Sequence, residues 1–228
     1  MIKIEKYEVV GWEHVIRGMR NPMNSWDRSD SRYKCPYHNT KKTVCSGCNE
    51  NMCIGPNDHD LMMRLASGGS DDRKFMRMIT VYLDITAPLY WWKEFDTYKV
   101  GTVANSCSTM HKIHAKKFTL EDFSCEHLSE PAISILKNTI EGLNQDRDLF
   151  LGYDGFKHQW GDWEKKHYWW QMIQLLPSSY NQKRTVMLNY EVLKNIYHAR
   201  KNHKLDEWHH FCDWIESLPY SELITGGN

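Results

Sequence analysis

The chain has 228 residues, which is enough for one substantial hydrophobic core or two modest ones. Its 29 Lys and Arg residues balance 29 Asp and Glu residues, so the formal net charge is zero and offers no overall attraction for general binding to nucleic acids or membranes; a local basic patch stays open. No apolar run is long enough to span a membrane, and the charged N-terminal MIKIEKYEVV does not resemble a signal peptide, so we expect a cytoplasmic protein.

The spacing of apolar residues predicts two strands and seven helices. The first strand alternates over IKIEKYEVV and the second over KFMRMITVYLDI, which is β-branched near its middle. Pro88 suits the first turn of a helix, and TLED at 119–122 resembles a capping box. In chain order, we predict a strand at 2–10, helices at 12–19 and 58–66, a strand at 74–85, and helices at 88–98, 131–147, 163–176, 186–202 and 206–218.

Residues 21–57 form a turn-rich, Cys-rich insertion between the first two helices. Without a secretion signal, its cysteines are better explained as thiols or metal ligands than as disulfides. Thiolates and imidazoles at such spacings suit tetrahedral zinc in a closed, structural site. A zinc site that stiffens the insertion and a set of merely packed thiols both remain open. The candidate ligands are Cys35, His38, Cys45, Cys48 and Cys53.

The segment WWKEFDTYKVGTVANSCSTMH, residues 91–111, follows neither a helical nor a strand period. Burying polar groups in such a run costs free energy, and a sequence that accepts this cost is typical of a functional site. A buried helix followed by an irregular turn at Gly101 is the alternative. The chain also has ten Trp and twelve Tyr, which favours flat-ligand stacking, an extensive oligomer interface or a well-filled core. Trp91-Trp92 and 168–170 are the candidate stacking clusters, although adjacent aromatics on a helix point in different directions.

The C-terminal half resembles the flavin-dependent thymidylate synthases, the ThyX family. Those proteins carry Leu-Pro, then Asn-x-Arg, then an Asn and a second Arg on the same helix. Leu176-Pro177, Asn189-Tyr190-Glu191, Asn195 and Arg200 have that spacing here. The segment 91–111 also fits the family's Arg-His-Arg motif and the Ser and acidic positions that follow it. The matching residues are Thr97-Tyr98-Lys99, Thr102, Asn105, Cys107 and Thr109, with Lys99 as the one cation retained.

The resemblance implies a single ThyX-like α+β domain over 1–228, with a mixed or antiparallel sheet flanked by helices. It implies a homotetramer whose sites form between subunits. The implied enzyme is a FAD-dependent methyltransferase that moves a methylene group from methylenetetrahydrofolate to C5 of a pyrimidine deoxynucleotide monophosphate, with NADPH as co-substrate. The cofactor supplies the difficult chemistry in such enzymes, and the protein supplies orientation and electrostatics. The alternative is a catalytically divergent ThyX-like scaffold that binds a nucleotide or a partner without thymidylate synthesis.

The same resemblance implies roles for individual residues. Arg200 has a structural alternative, as an ion-pair partner on its helix. Cys107 is also a candidate nucleophile, because Lys99 in the same polar run would lower a thiol pKa. The implied cofactor-binding residues are Tyr98, Lys99, Thr102 and Asn195; the substrate-binding residues are Asn105, Cys107, Thr109, Glu191 and Arg200; the catalytic residues are Glu191 and Cys107.

Glu191 stands where the family has an arginine that holds the pyrimidine. A carboxylate there would repel a uracil carbonyl unless it were protonated or paired. We expect it to be neutralised by Lys99, Lys183 or Arg184. Two alternatives are a hydrogen bond from the amino group of cytosine, which uracil lacks, and a solvated helix face outside the site.

Overall fold

The computed structural model describes residues 2–33, 48–49, 52–153 and 161–226. Contacts divide the chain into two compact units. The first comprises residues 1–3, 85–97 and 105–184, and the second comprises 4–84, 98–104 and 185–228. In the part of the chain that is described, no helix combines the length and the apolar character needed to cross a bilayer.

The described residues form seven strands in two sheets. The strands are β1 Lys3–Val10, β2 Arg32–Tyr33, β3 Cys48–Asn49, β4 Met52–Cys53, β5 Thr80–Pro88, β6 Val103–Ser106 and β7 Asn181–Asn189. Strands β1, β5, β7 and β6, in that order, make an open antiparallel sheet, which confirms the predicted sheet type. Strands β2, β4 and β3 make a small antiparallel sheet.

Helices flank the four-stranded sheet, as the α+β prediction requires. The α-helices are α1 Trp12–Arg20, α2 Pro56–Ser67, α3 Leu89–Phe95, α4 Thr109–Lys112, α5 Glu130–Phe150, α6 Asp162–Leu175, α7 Tyr190–Arg200, α8 Asp206–Glu216 and α9 Glu222–Thr225. Short 3-10 helices cover Asn21–Met23, Trp26–Arg28, Asp72–Met78, Asp96–Tyr98 and Leu120–Asp122.

Two element predictions were wrong in part. The helix predicted at 186–202 begins only at Tyr190, because Gln182, Val186 and Leu188 alternate inward along β7. Asn189 then caps the helix by accepting the Val192 N–H at 3.1 Å. The strand predicted at 74–85 begins at Thr80, since the neighbours Phe75 and Met76 are both buried by a 3-10 turn. The capping box at 119–122 is confirmed.

Each unit has its own apolar core. In the first, α5 packs along α6 around Leu136, Ile140, Leu143 and Met172. In the second, α7 packs against α8, α9 and the 3-10 helix 72–78. Tyr190, at the start of α7, is fully buried, and its hydroxyl donates to the Pro219 carbonyl at 2.6 Å. This packing fixes both ends of α7 within the second unit.

A buried carboxylate ties the start of the insertion to α2. Asp58 is fully buried and accepts from Arg20 Nε at 2.6 Å, Ser29 Oγ at 2.7 Å and Ser31 Oγ at 2.6 Å. Burial alone would raise the pKa of Asp58, but the hydrogen bonds from Ser31, Ser29 and Arg20 outweigh it and hold the pKa below its usual value. The segment 29–31 is therefore anchored by charge-assisted hydrogen bonds.

Asp58→Asn is expected to lower the free energy of unfolding at pH 7 by about 3–5 kcal/mol, because it leaves the buried Arg20 charge unpaired. Urea denaturation measures this. Since the native pKa is depressed, the stabilisation is present above the unfolded pKa and is lost as pH falls through the native value. The gap between wild type and Asp58→Asn should shrink below about pH 4. Asp60→Asn, exposed on the same helix, is the control; an equal loss in both variants would contradict the assignment.

Candidate functional site

A tight turn carries part of the ThyX-like motif to the start of α7. Gly101 has a φ of +79°, and the Thr102 N–H donates to the Lys99 carbonyl at 3.4 Å. A Cβ at Gly101 would lie 3.2 Å from both Asn189 Nδ2 and Val192 Cγ2. Glycine thus permits both the backbone conformation and the close approach, and the irregular turn predicted at this position is present.

Arg200 joins the other end of α7 to the same motif. Its Nε donates to the Tyr98 hydroxyl at 2.8 Å, and its guanidinium carbon lies 4.9 Å from the centre of the Trp208 ring. Trp208 is fully buried, so it offers a rigid face to the planar cation. Two predicted site residues that are distant in sequence, Tyr98 and Arg200, are therefore in direct contact.

Glu191 is buried in the first turn of α7, with 8% of its surface exposed. It accepts a hydrogen bond from Arg77 and a longer one from Arg73 Nε at 3.4 Å. The hydrogen bond from Arg77 is the main reason that the pKa of Glu191 is lowered, and the same contact raises the pKa of Arg77.

The expected neutralisation of Glu191 is present, but its partners differ from those predicted. Arg73 and Arg77 hold it, rather than Lys99, Lys183 or Arg184. Arg184 instead pairs with Asp96 at 2.7 Å and lies 4.2 Å over the Trp92 ring. The alternative of a solvated helix face was wrong, because the Glu191 carboxylate is buried.

The remaining predicted residues fall into two groups. In the second unit, Lys99 and Asn195 are exposed, whereas Thr102 is half-buried. The Thr102 hydroxyl is buried and has no hydrogen-bond partner among the described residues. The first unit contains Asn105 and Cys107, which are exposed, and Thr109, which is half-buried.

The first aromatic cluster belongs to the core. Trp91 and Trp92 are buried, and Trp92 Nε1 donates to the Gln182 carbonyl at 2.9 Å. They therefore do not offer a face for stacking a ligand. In the second cluster, Trp169 donates to the Met110 carbonyl at 3.0 Å and Trp170 remains exposed.

The zinc prediction falls mostly outside the described residues. Cys35, His38 and Cys45 lie in the part that is not described. Cys48 and Cys53 are directly opposed in the register of β3 and β4. Within the described ranges, no group of three or more potential ligands is placed to hold a metal ion. Zinc binding stays a prediction.

Sequence reasoning missed three residues of this region, namely Arg73, Arg77 and Trp208. The available signal for the arginines was Glu191 itself, because a carboxylate in a buried helical turn requires a cation. Arg77 lies in the segment 74–85 that is predicted as a strand, and Arg73 directly precedes it, so the sequence does not indicate that the two arginines act together.

Glu191→Gln is expected to lower the free energy of unfolding by about 1–2 kcal/mol, because it removes the charge that both arginines contact. The loss is moderate because water reaches the two arginine side chains. Chemical denaturation of Glu191→Gln, Arg77→Gln and the double variant measures the coupling. The double variant should cost less than the two single changes added together. If the losses of the two single variants add up to the loss of the double variant, the Glu191–Arg77 pair contributes nothing to stability.

Comparison with known proteins identifies the fold. No protein-family model matches the sequence, and no curated protein is significantly similar to it. Two crystal structures of thymidylate synthase X (ThyX) from Helicobacter pylori with FAD and dUMP are similar. The first is 14% identical, covers 98% of this chain and 96% of its own, and has a TM-score of 0.62. The second is 14% identical, with coverages of 97% and 95% and a TM-score of 0.60. The chain therefore has the ThyX fold, as the sequence resemblance predicts.

Proposed function

We propose that this protein is a flavin-dependent thymidylate synthase-like enzyme, which adds a one-carbon unit to C5 of a pyrimidine deoxynucleotide monophosphate and reduces it through FAD. The observation that carries the proposal is the contact between Arg200 and Tyr98, at 2.8 Å. It joins the two sequence segments that resemble the family, within a ThyX fold. The similar Helicobacter pylori structures contain FAD and dUMP.

The residues of the second unit fit a flavin nucleotide. Thr102 has a buried hydroxyl that lacks a partner among the described residues, as expected of a group that meets a ligand. Lys99 is exposed beside it in the same turn and supplies a positive charge for a phosphate. Asn195 offers an amide from the exposed face of α7. FAD, when bound, would supply the hydride chemistry.

Arg200 is the residue we assign to the pyrimidine nucleotide. Tyr98 and Trp208 restrict its guanidinium, so little conformational entropy is lost when it binds a carbonyl or a phosphate oxygen. A preorganised cation of this kind stabilises negative charge that develops on an oxygen of the ring. Methylenetetrahydrofolate and NADPH belong to the proposal as co-substrates.

One observation favours a second candidate, a divergent scaffold that binds a nucleotide without thymidylate synthesis. Thr97 stands at an arginine position of the family motif, and its hydroxyl donates to the Glu94 carbonyl at 2.7 Å, which leaves no charge there. The purified chain should be reconstituted with FAD and assayed with dUMP, methylenetetrahydrofolate and NADPH. Thymidylate formation supports the enzyme; nucleotide binding without turnover supports the scaffold; absence of both contradicts the proposal.

Arg200→Gln is expected to weaken dUMP binding by about 10- to 100-fold, the effect of losing a charged hydrogen bond. Tyr98→Phe keeps the cation but removes its anchor, so it should cost less than Arg200→Gln. Isothermal titration calorimetry of both variants measures the effect. Lys204→Gln, an exposed change near the end of α7, is the control. Unchanged dUMP affinity in Arg200→Gln would remove Arg200 from the site.

We also propose a homotetramer in which β6 meets another copy. Strand β6 lies at the edge of the sheet, and all four of its residues are exposed. Val100 and Val103 beside and within it are 86% and 56% exposed. An uncovered edge strand with exposed apolar side chains is a ready surface for pairing with another chain.

Light scattering at micromolar concentration should give four times the mass of one chain. Val103→Lys should shift that mass downward, because it places a charge in the proposed contact. Met23→Lys, at a position that is 82% exposed and remote from β6 in sequence, is the control and should leave the mass unchanged. A monomeric wild type would contradict the assembly.

A further inference from the structure

Several basic side chains converge on Glu191 in the second unit. Arg73 and Arg77 approach it from the 3-10 helix 72–78. Lys194 and His198 follow Glu191 by three and seven residues, which places them on the same face of α7. Two arginines thus share one buried carboxylate, and Lys194 adds a further positive charge close to Arg73.

Arg73 has unused hydrogen-bonding capacity. Its Nε reaches Glu191 at 3.4 Å, and its terminal amino groups have no partner among the described residues. Its side chain is 28% exposed, so a ligand from solvent can reach these donors. An anion that accepts from them would form charge-assisted hydrogen bonds with a guanidinium that Glu191 already orients. Arg77 is more exposed and already uses its Nε and Nη2 on Glu191 and the Ser70 carbonyl.

The charges around Arg73 also repel one another. Burial lowers the pKa of Lys194, and the charge of Arg73 lowers it further. Burial and the charge of Lys194 lower the pKa of His198, a hydrogen bond with the Ile224 backbone opposes them, and Lys201 and Arg73 add smaller lowering contributions. Besides Glu191, the exposed Asp71 attracts Arg77. An additional anion would relieve this repulsion.

We propose that Arg73, Arg77 and Lys194, arranged around Glu191, form a binding site for the phosphate group of a small molecule. Glu191 holds the two guanidinium groups in place, and Arg73 supplies the forked donors that match phosphate oxygens. Lys194 adds a half-buried ammonium, whose Nζ also donates to the Leu223 carbonyl at 3.3 Å. The anion site stands on this geometry; only the identity of the molecule that carries the phosphate rests on the proposed function.

The experiment is isothermal titration calorimetry of the full chain at low ionic strength, with inorganic phosphate, pyrophosphate, dUMP and FAD as separate ligands. Arg73→Gln should weaken phosphate and pyrophosphate binding by about tenfold or more. Arg64→Gln, an exposed arginine on α2 in the same unit, is the matched control and should change neither affinity. A parallel loss for FAD alone assigns the phosphate to the flavin, and a parallel loss for dUMP alone assigns it to the nucleotide.

Lys194→Gln is a second variant in case Arg73→Gln folds poorly, and it should also weaken phosphate binding. Wild type that binds no phosphate or pyrophosphate, or both variants binding them as tightly as wild type, would overturn the site. Phosphate binding that depends on Arg73, in a protein that binds neither FAD nor dUMP, would sustain the site while rejecting the proposed function.

Discussion

The buried carboxylate of Glu191 is the constraint on which the arrangement of the second unit depends. An unpaired carboxylate in this position would cost several kcal/mol. Arg77 and Arg73 neutralise it, so the 3-10 helix 72–78 must lie against the first turn of α7. The Tyr190 N–H adds a backbone hydrogen bond of 3.1 Å to the Ile79 carbonyl beside it. Electrostatics and backbone pairing therefore hold the same two segments together.

Helix α7 carries two chemically different ends on one short scaffold. Glu191 and its arginines lie in its first turn, and Arg200 with Tyr98 and Trp208 lies at its last residue. Nine residues separate Glu191 from Arg200, a rise of about 14 Å at 1.5 Å per residue. A small nucleotide would reach one end only. A dinucleotide cofactor, or two ligands side by side, would be needed to contact both.

The sequence predicted the longer helices, as in α5, whose apolar residues recur with a helical period, but it predicted only β1 and β5 among the described strands. It misplaced the start of α7 because Val186 and Leu188 satisfy both a strand alternation and part of a helical stripe. The local pattern does not distinguish a strand from a helix at these residues. The one usable signal for the start of the helix was Asn189, a residue type that is favoured as an N-cap. The pairing of Tyr98 with Arg200 spans about half of the chain, and local spacing carries no information about such a contact.

For Glu191, the sequence predicted that a cation would neutralise the carboxylate, but it did not predict which residues would supply that cation. The need for a cation follows from the charge and the helical position alone. Which cation supplies it depends on tertiary packing, because Arg73 and Arg77 lie in a 3-10 helix 118 and 114 residues before Glu191 in the chain. Arg184, a predicted partner, is instead held by Asp96 and the Trp92 ring within the first unit.

The most direct test of the proposed function is an experimental structure of the full chain with FAD and dUMP. We predict the pyrimidine nucleotide at the guanidinium of Arg200, with Tyr98 and Trp208 still supporting that side chain, and the flavin nucleotide at the turn that contains Lys99 and Thr102. A structure in which both ligands bind away from the turn 98–102 and from α7 would contradict it.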